Sequence, residues 1–94
     1  MRVTVHLPGP LRADTDGAAH VPLEVGEDTT LGGVLDALGA RYPGVDRRIR
    51  DEQGRLRRYV NVFVDEDECR TTGGLAAPLH EGADVRVLPS VAGG

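Results

Sequence analysis

One stretch of the chain constrains the fold more than any other. Leu31, Val34, Leu35, Leu38 and Tyr42 recur at i, i+3, i+4, i+7 and i+11, the spacing of one apolar helix face. Elsewhere the apolar period is two. Val3, Val5 and Leu7 alternate with Arg2, Thr4 and His6, and Val21, Leu23 and Val25 repeat the pattern. After the helix come Tyr59–Val64 (YVNVFV) and Val85–Leu88, both short and rich in valine. A helix with one apolar stripe must bury it, and the partners available in this chain are strands.

The order is therefore β-β-α-β-(short turn)-β. It predicts an α+β roll: a mixed four- to five-stranded sheet with one main helix packed on one face. A late strand lying parallel to the first would join the opening hairpin in a β-grasp arrangement, the topology of ubiquitin-like domains. A ferredoxin-like split would need a second full helix, which the pattern does not supply. Pro22 lacks a ladder donor, so the second strand belongs at or near an edge. Pro8-Gly9-Pro10 and Asp14–Gly17 are turn chemistry, giving the first hairpin a long polar loop. Thr29 or Thr30 is placed to cap the helix, and Pro43-Gly44 stops it. Val45–Arg50 has room for one short extra helical turn around Ile49. Tyr59–Val64 is apolar on both faces, as a central strand would be. Asp65–Gly74 is a polar loop and Ala76–Leu79 a tight turn. These signals divide the chain into a β-grasp domain over 1–88 and a flexible tail over 89–94 that ends in Gly-Gly.

Composition excludes several function classes. Val, Leu, Ile and Phe make up 24 of 94 residues, enough for a modest aliphatic core without Trp. One cysteine, Cys69, excludes an internal disulfide framework and a Cys-rich zinc site. The net charge is −4 and aromatics are only 3%, which argues against nucleic acid as a partner. No apolar run is long enough to span a membrane, and the N-terminus reads as a strand rather than a signal peptide. A monomeric cytoplasmic protein is the expectation. A chain of 94 residues has little room for a deep catalytic pocket, so a carrier or binding role precedes an enzymatic one.

Other groupings weigh less. Cys69 sits among carboxylates in Asp65–Arg70, which disfavour a thiolate, and reads as a passive loop thiol. The acidic run Asp65–Glu68 lacks the glycine and distant glutamate of a calcium loop and reads as a solvated loop. His6 and His20 could face each other across the hairpin, yet no carboxylate or third ligand has suitable spacing, so no metal site is expected. The glycine pairs match no phosphate-binding motif, so no bound cofactor is expected either. Arginines 47, 48, 50, 55, 57 and 58 form either a solvated face or a docking patch for a partner.

Three segments carry a resemblance. Arg58–Val64 resembles the third strand of the ubiquitin-like sulfur carriers of the MoaD/ThiS family, with its Val-Asn step. Asp67–Leu75 resembles the loop that follows. Asp84–Pro89 with Val91-Ala92-Gly93-Gly94 resembles the last strand and tail. Within the family the chain looks closest to the CysO-type carriers.

The resemblance implies that the reactive group is the terminal carboxylate of Gly94. A MoeB/ThiF-like adenylating enzyme would activate it with ATP, and a sulfur donor would convert it to a thiocarboxylate. An acceptor enzyme of cysteine-synthase-like or ThiG-like kind, or the large subunit of molybdopterin synthase, would then take the sulfur. The chain would be a protein co-substrate and not an enzyme, with ATP held by the partner. Gly93 and Gly94 lack a Cβ and can thread a narrow cleft, Pro89 stiffens the exit from the sheet, and Val91 with Ala92 offers a small apolar anchor. Either Tyr59, Asn61 and Phe63 or Val60, Val62 and Val64 point outward from the third strand; Tyr59, Asn61 and Phe63, with Arg86 and Leu88 of the last strand, are the candidates for a docking face on the sheet. A molybdopterin synthase small subunit and a ubiquitin-like protein modifier are the alternative readings.

Overall fold

The computed structural model describes residues 1–89. Five strands form one mixed sheet: β1 (Arg2–His6), β2 (His20–Glu24), β3 (Val60–Val64), β4 (Asp67–Glu68) and β5 (Ala83–Pro89). Their order across the sheet is β2-β1-β5-β3-β4. β1 pairs antiparallel with β2 and parallel with β5, and β3 pairs antiparallel with both β5 and β4. Helix α1 (Leu31–Arg41) is followed immediately by α2 (Pro43–Ile49). This is the β-grasp fold that the strand and helix order predicts.

The core follows from the two periods. Val3, Val5, Val21, Leu23, Val60, Val62, Val64, Val85 and Val87 cover one face of the sheet, and all are buried. Leu31, Val34, Leu35 and Leu38 of α1 pack on it with no exposed surface. The helix stripe and the strand stripes are thus the two halves of one aliphatic core. Pro22 lies on edge strand β2 opposite Thr4, where a missing donor does least harm.

Several local expectations change. The loop of the first hairpin contains a 3₁₀ helix over Gly9–Thr15 that buries Leu11 and Thr15. The Thr15 hydroxyl donates within this loop to main-chain carbonyls of Arg12 and Ala18. Pro43 ends α1 but also opens α2, since proline suits the first turn of a helix. The extra turn around Ile49 is therefore a seven-residue helix, and it buries Val45 and Ile49. Gly39 permits its close approach: a Cβ there would stand 2.9 Å from Asp46 Oδ2 and 3.0 Å from Asp46 Cβ. Thr30 occupies the N-cap of α1 without a side-chain cap bond. The first amide of the helix, Leu31 N–H, instead donates to Ala77 O at 3.0 Å.

The central strand is β5, and β3 lies one place nearer the edge. Its outward residue Phe63 is only partly buried, and Tyr59, in the turn just before it, is exposed. The acidic stretch after β3 is a tight hairpin into β4, with Asp65 at φ 54°. Cys69 belongs to the buried core rather than to a solvated loop. β5 runs through Pro89, one residue past the expected domain boundary.

Candidate functional site

The face of the sheet opposite α1 is open. Alternation places His20, Pro22 and Glu24 of β2, Arg2, Thr4 and His6 of β1, Asp84, Arg86 and Leu88 of β5, and Asn61 and Phe63 of β3 on it. Register then sorts them. Leu88 stands opposite Asn61, Arg86 opposite Phe63, and Pro89 opposite Val60. Asn61, Phe63, Arg86 and Leu88, four of the residues singled out from the sequence, thus share this face along the β3–β5 ladder, Leu88 and Asn61 at its Pro89 end and Arg86 and Phe63 toward Asp65, while Tyr59 stands in the turn just before β3. Tyr59 is 53% and Leu88 46% exposed, the two large apolar side chains among the described residues left most open to solvent. Val60, Val62 and Val64 point the other way and are buried, which settles which face of β3 is free. The Leu88–Asn61 end is where β5 reaches Pro89, the last described residue. Val91, Ala92, Gly93 and Gly94 lie outside the described residues.

The other half of the open face is polar and internally paired. His6 Nε2 lies 2.7 Å from Asp84 Oδ1, and His6 Nδ1 lies 2.9 Å from His20 Nδ1. A carboxylate accepts only, so His6 Nε2–H donates to Asp84, and a neutral His6 then accepts from His20 through Nδ1. The two histidines do face each other, as the hairpin pattern predicts. The carboxylate thought to be missing is supplied by Asp84, from 78 residues away, through the parallel β1–β5 register. The contacts fall on opposite nitrogens of His6 and do not converge. No group of three or more His, Cys, Asp or Glu side chains among the described residues is placed to hold a metal ion.

A second polar cluster closes the far end of β3 and β5. His80 Nε2 contacts Asp65 Oδ2, and Asp65 Oδ1 accepts from the Asp84 amide at 3.1 Å. The Asp84 amide, then the His80 ring, holds the Asp65 carboxyl below its usual range, and Asp65 raises His80 above the ordinary histidine value. Burial pushes the Cys69 thiol up, and Glu68 adds to the rise, so the residue is unsuited to nucleophilic work.

The arginines divide by partner. Arg50 is held by Asp46 and Asp36, Arg55 by Asp51, and Arg48 by Asp14 at 2.8 Å. Arg57 Nε–H donates to Arg47 O at 2.8 Å, which ties the segment leading into β3 to the last turn of α2. No helix among the described residues is long and apolar enough to cross a membrane.

This arrangement is a β-grasp domain with one open sheet face whose apolar end adjoins the exit of the last strand. Comparison with known proteins places it further. The ThiS family model matches residues 5–94, and the chain belongs to that family. Over its whole length it is 41% identical to the sulfur carrier protein CysO of Mycobacterium tuberculosis, covering all of both chains. The crystal structure of that CysO superposes with a TM-score of 0.84, covering 95% of this chain and 99% of the other at 40% identity. The crystal structure of an Amycolatopsis orientalis BexX/CysO complex matches with a TM-score of 0.85 at 36% identity, covering 98% and 99%. Small archaeal modifier protein 3 of Haloferax volcanii is 37% identical over 78 residues, 83% of this chain and 84% of the relative. Sulfur carrier proteins of this family are small carriers and not catalysts.

Proposed function

We propose that this chain carries sulfur as a thiocarboxylate on Gly94, the last residue of its sequence. The observation that carries the proposal is the family match, which runs on through residue 94. β5 supports it by delivering the chain to Pro89 beside the exposed Leu88 and Tyr59. Five residues beyond Pro89 reach at most about 17 Å, enough to enter a partner's active site while the domain stays outside.

The chemistry balances as follows. A Gly94 carboxylate oxygen attacks the α-phosphorus of ATP, held by a MoeB/ThiF-like enzyme, and pyrophosphate leaves. Hydrosulfide sulfur attacks the acyl carbon of the adenylate, and AMP departs with the former carboxylate oxygen. The proton of hydrosulfide goes to solvent and the terminus is left as a thiocarboxylate. Neither glycine has a Cβ to crowd the tetrahedral centre. Tyr59, Asn61, Phe63, Arg86 and Leu88 form the docking face for the enzyme, an apolar centre with a polar rim. Pro89, Val91 and Ala92 lead from that face to the reactive end. Similarity to CysO favours a cysteine-synthase-like acceptor over the ThiG-like enzyme or the molybdopterin synthase large subunit.

The test is intact mass after incubation with the adenylating enzyme, ATP and hydrosulfide. Exchange of one oxygen for sulfur is expected, and deletion of Gly94 removes it without changing the melting temperature. No exchange with any cognate activator overturns the proposal.

A further inference from the structure

A groove of about 370 Å³ lies around the corner from the open sheet face, on the helix side of the strand ends. Its floor is apolar: Pro8, Pro10 and Leu11 from the 3₁₀ helix and its approach, with Val60 and Val87 from the sheet. Tyr59 forms one wall and is 53% exposed, and it directly precedes β3, whose Asn61 lies on the open face. Arg47, Arg48 and Arg57 form the rim.

The rim of this groove carries arginines and no carboxylate, although Arg47 and Arg57 also line a neighbouring cleft with Asp46, Asp51 and Glu52. Arg48 is committed to Asp14, whose sealed Oδ2 it approaches at 2.8 Å without hydrogen-bond alignment. Arg47 and Arg57 form no close ion pair among the described residues, although the chain has 15 Asp and Glu against 11 Arg and the charge of Arg57 helps lower the Asp51 carboxyl. Arg57 is held in place through its Nε–H bond to Arg47 O, and its terminal amino groups make no bond to the described residues. Arg47 also suits the C-terminal end of α2, which explains its tolerance there but not the apolar floor beside it. Two guanidinium groups above an apolar cleft are complementary to a peptide segment that carries a carboxylate next to an apolar side chain.

We propose that this groove is a second docking point, taken by an acidic–apolar loop of the protein partner that handles the C-terminal tail. The position supports that choice: Val60 on the floor is the register partner of Pro89, so the groove flanks the exit of the last strand. A partner seated on the open face reaches it around Tyr59. The inference rests on the sulfur-carrier reading for the partner's identity, but its charge requirement is testable without it.

The probe is the peptide acetyl-Asp-Leu-Glu-Leu-amide, titrated into the full chain and followed by amide and Arg Nε–H resonances. Shifts are expected at Leu11, Arg57 and Val60, with at least roughly fivefold weaker binding for the Asn/Gln counterpart. Arg47→Glu, whose side chain makes no bond to the described residues, should weaken the acidic peptide about tenfold, and Arg57→Gln should weaken it less. Against a purified adenylating enzyme, Arg47→Glu should raise KM by a similar factor and leave kcat unchanged. Peptide shifts that ignore the carboxylates or the Arg47 change, or no shifts at all, overturn the proposal. So does truncation at Pro89 that alters the groove resonances as the peptide does, which assigns the groove to the chain's own tail. Concentration-dependent dimerisation through the groove overturns it too. If wild type is never thiocarboxylated, the sulfur-carrier reading fails while the peptide result still stands or falls alone.

Discussion

Replacing Leu88 by Asp separates docking from folding. Leu88 lies on the open face opposite Asn61 and keeps 46% of its surface in solvent. Complete burial of a leucine stabilises by about 1.5–3 kcal/mol, so covering the exposed half contributes about 1 kcal/mol to association. Aspartate withdraws that and places a carboxylate in the contact, where desolvation adds about 1–3 kcal/mol. The sum, about 2–4 kcal/mol, corresponds to a loss of roughly 30- to 1,000-fold in affinity. Leu88→Ala removes only the apolar share and should lose about fivefold. Folding is affected little, because the position faces away from the core; a change within about 1 kcal/mol, or under about 8 °C in melting temperature, is expected. The assay is kcat/KM of the adenylating enzyme with this chain as the varied substrate, alongside a thermal melt. The loss should fall on KM, as removal of uniform binding does. A Leu88→Asp chain that melts like wild type and is activated within about threefold of it would refute the reasoning and leave the tail as the whole of the recognition.

Three further outcomes follow from the fold. Arg50 is 11% exposed and donates to Asp46 at 2.7 and 2.9 Å and to Asp36 at 2.8 Å; Asp36 is 72% exposed and adds little. Arg50→Gln should therefore destabilise by about 2 kcal/mol through the Asp46 pair, lowering the melting temperature by about 8–16 °C, and a drop under about 2 °C would contradict the pairing. Cys69 should resist a disulfide reagent in the native chain by a factor on the order of 100 or more relative to the chain in guanidinium, because reaction must await local opening; equal rates would place the thiol at the surface. The His80–Asp65 pair should stabilise within a pH window. The raised His80 contributes fully below the unfolded histidine value of about 6.5 and is lost as pH rises through its folded value, while the lowered Asp65 contributes above about 3.9 and is lost as pH falls through its own. The melting difference between wild type and His80→Gln should be greatest between those limits and shrink in high salt; a difference that grows above pH 8 would reverse the assignment.

The features legible in the sequence were those with a period. The α1 stripe and the alternating valines identify the core because a helix and a strand can each present only one regular face to it. Single apolar residues carry no period, so Leu11, buried behind Pro8-Gly9-Pro10, reads as part of a turn. Pro43 is ambiguous by nature, since the ring that breaks one helix is preorganised for the first turn of the next. YVNVFV resembles a central strand because its outer face is apolar, whereas the true central strand β5 alternates Val85 and Val87 with Arg86 and Leu88. The sheet has one open face, so centrality within the sheet does not require two apolar faces; the apolar outer residues of β3 mark a surface instead. The His6–Asp84 contact and the joining of Arg47 to Arg57 depend on register and on helix placement, which local patterns do not encode.

The strand from which the tail departs has a mechanical consequence. β5 is paired on both sides, through four register positions to β1 and five to β3. A terminus leaving an edge strand such as β2 or β4 would transmit any pull to the part of the sheet that opens most easily. Leaving from β5, it pulls against two ladders and the aliphatic core behind them. The last pair among the described residues differs from the rest: Pro89 has no amide hydrogen, and its partner Val60 donates its own to Arg57 O at 3.1 Å. Neither amide of the Val60–Pro89 pair therefore donates across it.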